Sequence, residues 1–173
     1  SITKTGTAKT YTATVYVHAG PSTLRNFCMI RFTNAAGTTY TQGYVNLTTR
    51  AVTSQSNVTF GVATITATDA GGGWVKIVFT AVSDTGTVLY FHVGAASSSS
   101  SGSYAGNTAY GIYVWGAQLE ESSTAHSYIP TTTASVEANA PGTTNIVYVS
   151  DMTSVPQQYD VYAFGLVGLS TKA

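Results

Sequence analysis

Charge is what this sequence has least of. Only 8% of its 173 residues are charged, against about a quarter in an ordinary soluble protein. Seven basic and seven acidic side chains cancel to a formal charge of zero, and the basic residues do not cluster. Without a cationic patch to displace counterions from phosphate, a nucleic-acid partner is not expected. An anionic membrane surface is disfavoured for the same reason. Cysteine is almost as scarce. A single residue, Cys28, forbids an intrachain disulfide and so excludes the small secreted disulfide scaffold. It lies in the apolar run Phe27-Cys28-Met29-Ile30, the setting of a buried structural thiol rather than of a nucleophile. Ser1-Ile2-Thr3-Lys4 does not read as a signal peptide, which needs an apolar stretch. The longest apolar run, Val161 to Leu169, is too short to span a bilayer. Helical periodicity is missing too: nowhere does an apolar period of 3.6 persist over three turns, so no helix is expected.

What the chain does have is hydroxyls, aromatics and apolar residues. At 43% hydrophobic it can bury a real core, which argues against disorder over most of its length. Thr is the commonest residue, and Thr and Tyr favour pleated, half-buried surfaces. A polar, uncharged partner suits such a surface, and sugars are the obvious class. Low charge equally suits a crowded protein assembly.

Period-two alternation then marks the strands. From Thr10 to Ala19, TYTATVYVHA places Tyr11, Ala13, Val15 and Val17 on one face, with Tyr16 and His18 on the other. Further strands are predicted over Asn26–Thr33, Tyr40–Leu47, Val58–Thr68, Val75–Val82, Thr87–Val93 and Tyr110–Glu120. Turn signals separate them: Gly20-Pro21-Ser22, Asn34-Ala35-Ala36-Gly37, Asp69 to Trp74 through three glycines, and Asp84-Thr85-Gly86. Ser97 to Ser103 is low in complexity and reads as a flexible loop. Many short strands at this spacing predict an all-β, antiparallel two-sheet sandwich of jelly-roll type. The composition shifts near Ala138-Asn139-Ala140-Pro141-Gly142. Residues 1–137 are read as the sandwich module and 138–173 as a docking or oligomerisation extension. Its segments Asn145–Val149 and Tyr159–Leu169 are too apolar to stand alone.

Three segments carry a family resemblance: TYTATVYVHAG (10–20), ATDAGGGWVKIVFTA (67–81) and IYVWGAQLEESSTAHSYIPTT (112–132). The last is the most specific, with Trp115-Gly116-Ala117-Gln118-Leu119-Glu120 followed by Ser127-Tyr128-Ile129-Pro130. Together they resemble the carbohydrate-binding-like jelly-roll modules of bacteriophage tail fibres, tail spikes and other virion surface proteins, over roughly residues 8 to 137. The resemblance implies a non-catalytic two-sheet sandwich displayed on a multimeric virion protein, extracellular after host lysis. The expected partners are a glycan or cell-surface polysaccharide and other virion subunits, in a homo-oligomer for which a trimer is one candidate. Family members carry an initial strand before the point where this chain starts. Either that edge is missing or the residues after Pro141 supply it.

Sugar binding needs flat aromatic faces flanked by hydrogen-bonding groups, and the chain has twelve Tyr, six Phe and two Trp. The candidate ligand-binding residues are Tyr16, His18, Tyr113 and Trp115. Tyr113 and Trp115 share a face if their strand runs straight, and a bulge at Gly116 would switch faces. Which of Ile112/Val114 and Tyr113/Trp115 points inward is open. Trp74 is expected to cap the core, and core or rim packing is the competing role for Trp115.

Catalysis finds no support. Glycoside hydrolysis needs two carboxylates facing across a cleft, but Asp69, Asp84, Glu120, Glu121, Glu137, Asp151 and Asp160 are mostly in predicted turns. Glu120 and Glu121 are adjacent and project to opposite faces of a strand. His18, His92 and His126 are scattered, with no nucleophile elbow and no zinc spacing. No cofactor is expected. A structural calcium ion is left open, with Asp69, Asp84 and Glu120 as candidate ligands. The sequons at Asn46 and Asn57 read as ordinary strand-edge residues. The leading expectation is a recognition module binding host or environmental polysaccharide. Its rival is a structural phage protein, a capsid decoration or fibre-assembly domain with no glycan ligand. An accessory domain guiding a separate depolymerase is a third reading.

Overall fold

The computed structural model describes residues 1–20, 26–56, 60–103 and 111–130, all within the unit Ser1–Thr132. The extension expected at 138–173 lies outside the described residues, as do Glu137, Asp151 and Asp160.

The described residues form strands and no helix: β1 (Ile2–Thr3), β2 (Thr10–Ala19), β3 (Phe27–Thr33), β4 (Tyr40–Asn46), β5 (Val52–Ser56), β6 (Thr64–Gly71), β7 (Trp74–Val82), β8 (Val88–Ala96) and β9 (Ile112–Glu120). They make two sheets, a five-stranded one in the order β1-β8-β3-β4-β5 and a four-stranded one in the order β6-β7-β2-β9. Every pairing is antiparallel. The fold is therefore an all-β, two-sheet antiparallel sandwich. Pairing is nested, β2 with β9 and β3 with β8, so early strands meet late ones as in a jelly roll.

Alternation explains the layering. Tyr11, Ala13, Val15 and Val17 of β2 are buried, as are Val75, Ile77, Phe79 and Ala81 of β7. From the five-stranded sheet, Cys28, Ile30 and Phe32 of β3 and Leu89 of β8 complete the same core. Phe32 joins the two layers. Its ring lies edge-on to Phe79 of the other sheet at 4.7 Å between centroids, and to Phe91 at 5.8 Å, geometries the aromatic quadrupole favours.

One buried cation belongs to this framework. The Lys4 side chain is fully buried, and its Nζ donates to the backbone oxygens of Asp84 at 2.7 Å and Thr7 at 3.1 Å. The Asp84 carboxylate stands 3.8 Å away. An ammonium out of water requires such oxygen partners.

The strand boundaries differ from the sequence expectation in several places. The strand predicted over Val58–Thr68 begins only at Thr64. Phe60 and Ala63 before it are buried core residues outside any strand, so their apolarity reflects burial and not pleating. The strand Val52–Ser56 was not expected, because VTSQS is mostly polar. Among the described residues it is the outermost strand of its sheet, paired to β4 alone. Ile2–Thr3 is too short to show a period, yet it pairs with Leu89 and Val88 at the opposite edge. The glycine connection is tighter than expected. β6 runs to Gly71, and Gly72 and Gly73 turn the chain with φ of 59° and 82°, the double positive φ of a two-residue hairpin. The serine loop Ser97–Ser103 holds itself by its own hydroxyls, with Ser97 Oγ donating to Ser101 O and Ser103 O.

Candidate functional site

Register sets the outer face of the four-stranded sheet as cross-strand rows. Trp74 of β7, His18 of β2 and Tyr113 of β9 form one row, and Lys76, Tyr16 and Trp115 form the next. Below them come Val78, Thr14 and Gln118, then Thr80, Thr12 and Glu120. One end of the face is thus aromatic and the other hydroxyl-, amide- and carboxylate-bearing.

The aromatic rings touch. Tyr16 and Trp115 are 5.2 Å apart, His18 and Trp74 5.5 Å, His18 and Tyr113 6.0 Å, measured between ring centroids. Tyr113 and Trp115 are each 55% exposed. All four candidate residues are therefore on one outward surface, which answers the open question on β9: Ile112 packs against the core and Tyr113 and Trp115 face out. Trp74 does not cap the core. It stands opposite His18 in the ladder and so shares the outward face, because β7 buries its odd-numbered residues from Val75 to Ala81.

Gly116 makes the mixed face possible. Its φ is +61°, and the β2–β9 register shifts so that Tyr16 pairs Trp115 while Thr14 pairs Gln118. Gly116 and Ala117 together stand against Val15, which is a β-bulge. In a straight strand the residues after Trp115 on the outer face would be Ala117 and Leu119. The extra residue turns Gln118 and Glu120 outward and lets Leu119 pack on the core.

Those two side chains hold the segment that follows. Gln118 Oε1 accepts from the Ile129 N–H at 2.8 Å, and its Nε2 donates to Ser127 O at 3.3 Å. Glu120 accepts from the His126 N–H at 3.0 Å and pairs with His126 Nδ1 through its other oxygen. Burial pushes the Glu120 carboxyl up, but hydrogen bonds from the His126 ring, the His126 backbone and Gln118 outweigh it and hold it below its ordinary value. The clasp carries Tyr128 to 5.2 Å from Trp115.

Between clasp and sheet lies a groove of about 270 Å³, floored by Thr14, Tyr16 and Lys76 and walled by Gln118, Ser127 and Tyr128. The Thr14 hydroxyl is buried without a hydrogen-bond partner. An unpaired buried hydroxyl costs about 1–3 kcal/mol. Thr14, Lys76, Gln118 and Tyr128 were not singled out by sequence reasoning. The signal for two of them was the motif itself, in which Gln118 holds the Ser127 and Ile129 backbone and Glu120 holds His126.

The carboxylates named for calcium are each engaged elsewhere: Asp69 with Arg50, Asp84 beside Lys4 and Glu120 with His126. Among the described residues no three His, Cys, Asp or Glu side chains converge. Glu121 turns away from Glu120, taking the Tyr11 hydroxyl at 3.1 Å and the Lys9 ammonium. No helix among the described residues is long and apolar enough to cross a membrane. No family model matches the chain, and no curated protein matches it either.

Proposed function

We propose that the chain is a non-catalytic recognition module of a virion surface, and that the outer face of β7, β2 and β9 binds a host or environmental polysaccharide. The observation that carries this reading is the pair of aromatic rows running into a polar groove on one face. Ring faces suit the C–H surfaces of a pyranose, and the amide, hydroxyl and ammonium groups beside them suit its hydroxyls. The virion setting rests on the resemblance of residues 10–20, 67–81 and 112–132. Binding rather than catalysis is favoured because the groove is lined by no carboxylate pair, which glycoside hydrolysis needs. Single sites of this size bind weakly, and display in several copies supplies avidity.

A second reading, assembly without a glycan, draws on β9. Among the described residues it is the last strand of its sheet, and Val114 on it is 46% exposed. An apolar edge is a template for another chain. A glycan array of the purified protein, run with light scattering on wild type and Trp115→Ala, separates the two. Lost glycan binding with unchanged mass supports recognition. A changed mass with no glycan bound by either form assigns the face to subunit contacts.

A further inference from the structure

We propose that the groove selects an acidic sugar of the hexuronic type, with the Lys76 ammonium pairing the sugar carboxylate. This rests on the reading of the groove as a saccharide site and names its substrate class.

The distribution of cations motivates it. In a chain so poor in charge, the other lysines and arginines among the described residues are all occupied. Lys4 sits beside Asp84, Lys9 pairs with Glu121, and Arg50 pairs with Asp69. Arg31 lies 4.0 Å over the Tyr40 ring and donates to Gly37 O. The Lys76 side chain makes no ion pair or hydrogen bond with another described residue, although it is half-buried. It stands directly beside Tyr16 in the ladder and lines the groove floor.

The surroundings define what it takes. Glu120, two rows away, is the carboxylate of the same face, but His126 and Gln118 occupy its oxygens. Lys76 therefore has no acid to neutralise it from the sheet or the clasp. Gln118 and Ser127 line the same groove and offer polar contacts, and Tyr16, Trp115 and Tyr128 offer ring surface. One ammonium balances one negative charge. A hexuronate supplies one carboxylate, hydroxyls for the floor and a C–H face for the rings. A charge-assisted bond is stronger than its neutral counterpart.

The test is an array holding neutral, uronate-bearing and sulfated glycans, probed with the full chain. Titrations follow with the best hit and its carboxyl-reduced form, using wild type, Lys76→Met and Lys76→Arg. The expected result is preference for uronates, a loss of about tenfold or more in Lys76→Met, and retention in Lys76→Arg. Carboxyl reduction should cost wild type as much and Lys76→Met nothing further. Equal binding of the reduced glycan, or full binding by Lys76→Met, overturns the acidic selection and leaves the saccharide reading standing. Preference for sulfated over uronate glycans also overturns it. No binding to any glycan removes both.

Discussion

Trp115 stands directly opposite Tyr16 across the β2–β9 ladder, with the two ring centroids 5.2 Å apart and the indole more than half exposed. The pair belongs to the outer face, so its removal should separate binding from folding. Trp115→Ala is expected to lower polysaccharide affinity at least tenfold, roughly, while changing stability by about 1 kcal/mol or less. Phe79, fully buried and edge-on to Phe32, is the contrast. Phe79→Ala should cost about 3–5 kcal/mol. Urea melts of both variants check this, and equal losses would show that Trp115 is part of the core framework.

Lys4 gives a different kind of contrast. Its ammonium is buried among the Asp84 and Thr7 carbonyls and beside the Asp84 carboxylate. Lys4→Met keeps the aliphatic stem but leaves those oxygens without their cation. The expected cost is about 3 kcal/mol, the scale seen when one partner of a buried ionic contact is removed. A shifted urea midpoint at unchanged slope is the readout. A midpoint equal to wild type would mean that water replaces the ammonium without penalty.

The sandwich was legible where one face is buried. β2 and β7 alternate in sequence because one side of each meets the core, although Thr12 and Thr14 on the other side of β2 are buried as well. Edges were not legible: VTSQS at β5 is mostly polar and Ile2–Thr3 at β1 is too short to show a period. Tyr16, His18, Tyr113 and Trp115 could be named from alternation alone. Their convergence depends on the β2–β9 pairing, whose partners lie about a hundred positions apart in sequence. Trp74 misled because large apolar residues usually go inside, whereas register places this one beside His18. Gln118 and Glu120 became outward residues only through the bulge at Gly116.

Alkaline pH should reveal two buried acids. Burial pushes the Cys28 thiol from 9.0 up to about 12, a backbone hydrogen bond from Gly94 opposing it. Burial, with the hydrogen bond and charge of Glu121, pushes the Tyr11 phenol from 10.0 to about 12. Both folded values are raised, so the folded state holds protons that the unfolded chain has lost. Stability from these groups is complete below the unfolded values and falls as pH climbs through 9 and 10 towards about 12. Denaturant melts from pH 8 to 11 should show falling midpoints. Cys28→Ala should flatten the part of the slope that starts near pH 9. Native Cys28 should also resist thiol reagents until the chain unfolds, since the thiolate is the reactive species. Rapid labelling at pH 8 without unfolding would contradict its burial.

The Glu120 clasp fixes the acid side. Its carboxyl is held below its ordinary value of 4.5 despite burial, because hydrogen bonds from the His126 ring and backbone and from Gln118 favour the charged form. A depressed carboxyl stabilises the fold above the unfolded value, and that contribution disappears as pH drops through the lower folded value. The His126–Ile129 segment should therefore loosen only below about pH 4.5, carrying Tyr128 away from the Trp115 ring. Trp115 emission then changes in acid before global unfolding. Glu120→Gln keeps an acceptor for the His126 N–H but has no proton to gain, so its emission should lack the acid step. Because Tyr128 walls the groove, the variant should also bind polysaccharide more weakly at neutral pH. An acid step of unchanged size in Glu120→Gln would assign the transition to another group and detach the clasp from the groove.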